Sequence, residues 1–178
     1  MSIDQDLLVR SVTAATSEVF SMMLEMEVEF SELSDESETS ESGLISLVGI
    51  TGDWGGSGVF CCSPNLAGII CSRMLGTVHD GDKPNIDEEV LDVVAEVTNM
   101  VIGNVKNALE EVTGPLAISV PTVIHGRNFQ FRNALGLRGA SIAFTTEGER
   151  FEVRIALAPV SPRVGGQPKT PILNLTHV

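Results

Sequence analysis

Leu8, Val12, Ala15, Val19, Met22 and Met26 recur at alternating spacings of four and three, which predicts one amphipathic helix over 3–28. The capping-box pattern Ser2-Ile3-Asp4-Gln5 opens it. Gly43 to Thr51 is rich in apolar and β-branched residues, Gly52-Asp53-Trp54-Gly55-Gly56 is turn chemistry, and Ser57 to Cys62 is again apolar, so a β-hairpin is expected. No Lys-Ser/Thr follows those glycines and no helix starts directly after them, so they are not a phosphate cradle. Ser63-Pro64 starts a short helix through Leu66, Ile69, Ile70, Met74 and Leu75 that Gly76 should stop. A third helix begins at the capping pattern Asn85-Ile86-Asp87-Glu88 and runs to about Val112, ended by Gly114-Pro115. Three apolar strands follow, 116–124, 137–146 and 150–157. Pro121 cannot donate to a ladder, so its strand should be an edge or bulged there.

The predicted order is α-β-β-α-α-β-β-β. Too few strands alternate with helices for a parallel sheet, so the expected class is α+β, an antiparallel sheet with long helices on one face. Long helices preceding hairpins recur in the two halves, as an ancient duplication would leave them. One domain is expected over 1–157, with an acidic loop 31–42 inserted and a Pro-rich tail 158–178.

Charge changes the picture at one place. The chain carries 24 acidic and 11 basic side chains, a formal net charge of -13, and eight of the acids lie between Glu25 and Glu41 with no base among them. That stretch reads as a solvated loop after the first helix. The negative sign, with seven Phe, one Trp and no Tyr, argues against nucleic acid and anionic membrane surfaces as partners. No apolar run is long enough for a membrane span and the start lacks a signal's basic and apolar stretches, so a cytoplasmic protein is expected. Cys61, Cys62 and Cys71 are odd in number and form no C-x-x-C pair, and reduced thiols packed as small hydrophobes are expected.

The third helix is the informative element. Val90, Val94, Val97, Val101, Val105, Ala108 and Val112 fall on one side, the expected core side; Asp92, Glu96, Asn99, Gly103, Lys106 and Glu110 make the opposite side. Glu96 and Asn99, at i and i+3, stand next to each other. A carboxylate and an amide are also what any solvated helix face carries. Yet glycine costs about 1 kcal/mol relative to alanine in a helix, and asparagine is a mediocre former.

Asp92-Val93-Val94-Ala95-Glu96-Val97-Thr98-Asn99 resembles the Asp/Ser-x-x-x-Glu-x-x-Asn signature of the CheC/CheX group of chemotaxis phosphatases. Val101-Ile102-Gly103-Asn104-Val105-Lys106 followed by Ser119-Val120-Pro121-Thr122-Val123 is similar to CheX in particular. In the first helix Glu18 is followed at +3 by Ser21 and preceded at -4 by Ala14, so a second copy of the signature is missing, again as in single-site CheX.

The resemblance implies removal of the phosphoryl group from the aspartyl phosphate of a CheY-like response regulator. Asn99 would enter the regulator's active site and orient the attacking water, and Glu96 would pair with a regulator lysine. Asp92, Gly103 and Pro121 are weaker candidates for contact with the partner. The divalent cation, normally Mg²⁺, would be held by the regulator, leaving no cofactor or metal to this chain. A CheX-like homodimer, paired at a strand edge, is implied as well. His79, His125 and His177 form no His-x-x-x-His, and no Gly-x-Ser-x-Gly is present, so self-contained hydrolase chemistry has little support. His125 and Arg127 are read as a surface loop after a strand. The alternative function is an adaptor or flagellar switch-type module that binds a receiver domain without dephosphorylating it.

Overall fold

The computed structural model describes residues 3–33, 40–77, 85–130, 137–160 and 176–177. The first helix, α1 (Gln5–Met23), is capped by Asp4, whose side chain accepts the Leu7 N–H at 2.7 Å. It is shorter than the periodicity predicts because Glu25 adopts φ 53°, and the Phe20 carbonyl accepts from both Leu24 N–H and Met26 N–H. Met26 still reaches the core, at 1% exposure, from outside the helix, so its apolar character mimics a further turn.

The segment that follows corrects the loop reading. Within the acidic stretch, β1 (Glu29–Leu33) pairs antiparallel with β6 (Arg138–Thr146) at one sheet edge, with all five side chains exposed, and Ser40 already belongs to the next strand. Acidic side chains pointing to water from an edge strand hide the strand from any apolar-pattern test. Residues 34–39 of the expected loop lie outside the described residues.

The hairpin forms as expected from β2 (Ser40–Gly52) and β3 (Trp54–Cys62), with Leu44 opposite Cys62 and Ile50 opposite Gly56. Leu44, Val48 and Ile50 face the helices; Ile45 joins Val59, Leu47, Cys61 and Ile124 in a small cluster of its own. The other helices keep their punctuation. In α2 (Pro64–Leu75) Ser63 accepts the Leu66 N–H at 3.0 Å and Gly76 sits at φ 65°; α3 (Glu88–Thr113) is capped by Asp87 and ends at Gly114, φ 79°.

After α3 the single strand predicted over 116–124 is two: β4 (Leu116–Ile118), paired with β2, and β5 (Thr122–Gln130). Pro121 stands in the break. His125 and Arg127 belong to β5, opposite Leu44 and Ser42, which corrects their reading as a loop. β6 and β7 (Glu149–Pro159) form the next hairpin, and β8 (Thr176–His177) adds a short strand on β5 inside the expected tail. Residues 161–175 of that tail lie outside the described residues. The sheet runs β1-β6-β7-β3-β2-β5-β8, every pairing antiparallel, with β4 attached to β2. The α+β class and the helix positions are as expected, with three strands more among the described residues than predicted.

α1, α2 and α3 share one core with the helix-facing side of the sheet. Phe20 of α1 stacks on Phe151 with ring centroids 4.7 Å apart, and Phe60 and Phe144 close around Phe151 at 5.5 and 5.3 Å. α3 lies close on β3: a Cβ built on Gly58 would meet three Ile102 side-chain atoms at 2.6 to 2.8 Å. That close approach sets the height of α3 above the sheet. No helix among the described residues is long and apolar enough to cross a membrane.

Candidate functional site

The core seam of α3 contains Val90, Val94, Val97, Val101 and Val105 as expected, but it passes next to Leu109, fully buried, while Ala108 is exposed and Val112 half-buried. The step from Val105 to Leu109 is four residues, the larger of the two alternating steps of a helical stripe.

Along the opposite side, burial rises towards the C-terminus. Asp92 and Glu96 are exposed, Asn99 and Gly103 half-buried, and Lys106 and Glu110 partly covered. The cover is the chain after α3: an added Cβ on Gly103 would lie 3.8 Å from Ile118 Cδ1, at the end of β4. Asp92, Glu96, Asn99 and Gly103 are therefore one line on one helix, as expected. Pro121, half-buried, stands three residues past Ile118 in the break between β4 and β5.

Among the described residues, Asp92, Glu96 and Asn99 make no side-chain hydrogen bond or ion pair, so their polar groups face outward uncommitted. The matching stretch of α1 differs: Glu18 accepts from Asn104 Nδ2 at 3.3 Å, and Ser21 Oγ donates to the Glu18 carbonyl at 3.2 Å. Charge on α3 is one-sided too. Glu88, Glu89, Asp92 and Glu96 precede Lys106, its only base. Its N-terminal half therefore presents negative potential to a basic group of a partner.

Lys106 and Glu110 were placed on this line by periodicity, but their engagement is a finding of the fold. Lys106 Nζ lies 2.8 Å from Glu110 Oε1 and donates to the Leu116 carbonyl at 3.3 Å, and the Leu116 N–H donates to Glu110 Oε1 at 2.9 Å. The opposite charges at i and i+4 were a legible signal; their grip on β4 was not. These hydrogen bonds, the one from Lys106 first, hold the Glu110 carboxyl below its ordinary range.

The thiols are inert by environment. Cys61, Cys62 and Cys71 are free; burial pushes Cys61 up to about 12 against the pull of Arg154, and raises Cys62 and Cys71 as well. Among the described residues no three His, Cys, Asp or Glu side chains are grouped as metal ligands. What the line on α3 offers is the amide of Asn99 and the carboxylates of Glu96 and Asp92, free to reach into something else. Such a set can orient water and fix a cation.

Comparison with known proteins adds to this geometry. The "CheY-P phosphatase CheX" of Thermotoga maritima is 30% identical over 90 residues, 51% of this chain and 56% of that protein, so the chain spans about half the length of the curated relative it matches. A crystal structure of chemotaxis protein CheX from Desulfovibrio desulfuricans is 25% identical, with TM-score 0.71 over 85% of this chain and 99% of the other. A chain of the CheX–CheY–BeF3–Mg²⁺ complex from Borrelia burgdorferi, 24% identical, shares the fold with TM-score 0.66 over 88% of this chain and 99% of its own. The profile of the family described as chemotaxis phosphatase CheX matches residues 44–145, from β2 through α3 to the end of β6, and over that majority of its length the chain belongs to the CheX family.

Proposed function

We propose that this protein is a phosphatase that hydrolyses the aspartyl phosphate of a CheY-like response regulator. The observation that carries the reading is the uncommitted pair Glu96 and Asn99 on the exposed line of α3, inside the stretch that the CheX family matches. The Thermotoga relative, a CheY-P phosphatase, and the CheX–CheY complex of the Borrelia relative point the same way.

An aspartyl phosphate is a mixed anhydride. Water attacks phosphorus, the bond from phosphorus to the aspartyl oxygen breaks, and inorganic phosphate and a free carboxylate result. Little is needed beyond an in-line water and neutralised charge on the transferring group. Asn99 enters the partner's site; its amide oxygen accepts from the attacking water and its NH₂ donates to an acceptor, which fixes the water's direction. Glu96 pairs with a lysine of the regulator and sets the register of docking. Asp92 adds negative potential, and Gly103 leaves room for the partner's loop beside Pro121. The regulator's own carboxylates hold the Mg²⁺. The same reading carries a cytoplasmic homodimer paired through a strand edge.

The test is phosphate release from a purified phosphorylated cognate receiver, with the protein, without it, and with Asn99→Ala. Acceleration by the parent and its loss in Asn99→Ala support the reading. A parent that binds the receiver yet leaves its phosphate lifetime unchanged overturns it in favour of a non-catalytic receiver-binding module.

A further inference from the structure

β4 is three residues long and, among the described residues, pairs with β2 alone, Ile50 opposite Ile118 and Gly52 opposite Leu116. At Leu116 two side chains of α3 do what a second strand would do: Glu110 takes its N–H and Lys106 gives to its carbonyl, and the two are themselves joined. Past Ile118, which lies against Gly103, the chain is fastened again. Ser119 N–H donates to the Gly49 carbonyl at 2.9 Å, and Ser119 Oγ accepts the Gly49 N–H at 2.9 Å. Between this anchor and Pro121, Val120 is 86% exposed. At roughly 3.3 Å per residue, Val120 lies within about 7 Å of the residue that touches Gly103. Gly103 in turn is one turn from Asn99.

We infer that Lys106 and Glu110 are positioning residues that fix the Ser119–Pro121 segment as a rigid second wall beside Asn99, and that Val120 on this wall is an apolar docking contact for the receiver domain. The inference rests on the phosphatase reading and adds to it an element other than α3. A lone exposed valine is ordinary on a surface, so a brace present only for folding predicts that Val120→Ser is silent. A wall positioned for a partner predicts that clamp and valine act on the same kinetic constant. That constant is KM, because Asn99 meets the water from α3 itself once the complex has formed.

The experiment is steady-state phosphate release from the purified phosphorylated cognate receiver by the full chain, its Glu110→Ala, Glu110→Gln and Val120→Ser variants, with a thermal melt of each. Glu110→Ala and Val120→Ser are each expected to raise KM about fivefold to tenfold, the range of one useful interface contact, with kcat within about twofold of the parent. Glu110→Gln keeps an oxygen for the Leu116 N–H and should recover part of the loss, and Val120→Ser should leave the melt unmoved. Unchanged KM in Val120→Ser with an active parent overturns the docking wall, even if Glu110→Ala fails to fold. A loss in Glu110→Ala that only follows its melting temperature overturns the positioning role. A parent without phosphatase activity overturns the functional reading first, and this role with it.

Discussion

Glu96 and Asn99 stand about 4.5 Å apart along the α3 axis, and the proposed function gives them separable work. Asn99→Ala leaves a better helix former on a face the core does not use, so receiver binding and melting temperature should persist while hydrolysis falls by about 10². Glu96→Ala should instead weaken binding, and the parent's affinity should fall more steeply with salt than the variant's, as titrations at low and physiological ionic strength would measure. Glu110 gives a pH dependence of known sign. Its folded-state affinity for protons is lowered by Lys106 and the Leu116 N–H, so its stabilisation is fully present above the ordinary carboxylate range and is lost as pH falls through the lowered value. The parent should melt above Glu110→Gln at pH 7, and the gap should close in acid. The cysteines offer a second check: with thiol affinities for protons raised by burial, native protein at pH 8 should label slowly with an alkylating reagent and rapidly in denaturant.

Elements were legible where side-chain chemistry is local and hidden where it depends on distant partners. Ser63-Pro64 and Gly76 bracket α2 in the sequence because cap and stop act within one turn. The Asp92, Glu96, Asn99, Gly103 line was legible for the same reason: helix geometry alone brings it together. β1 was hidden because five exposed residues carry no alternation, and its existence rests on the ladder offered by Phe144 and Thr145 of β6. The break at Ser119 to Pro121 was foreshadowed only as an edge or a bulge at Pro121, since the grip of Gly49 on Ser119 comes from 70 residues away. The approach of α3 to β3 was invisible too, and it invites a substitution. Gly58→Val puts an isopropyl group where Ile102 packs, so α3 must lift or tilt; a loss of about 1 to 3 kcal/mol is expected in chemical denaturation.

At the scale of the molecule, the helices and one sheet face make a single core. The proposed homodimer is checked by light scattering across micromolar concentrations, where a monomeric mass would count decisively against it. The class and the helices' place over an antiparallel sheet were readable from element order, but the number of strands was not, because strands are completed by neighbours and helices by themselves. One arrangement has a consequence for the living cell. The valines that fold α3 and the pair proposed for its chemistry lie on opposite sides of the same helix, so selection acts on them independently. On the proposed function, a substitution at Asn99 leaves a well-folded protein that still occupies the phosphorylated receiver. Expressed beside the intact copy, it would shield the phosphoryl group from the parent, a dominant inhibitor made by one mutation.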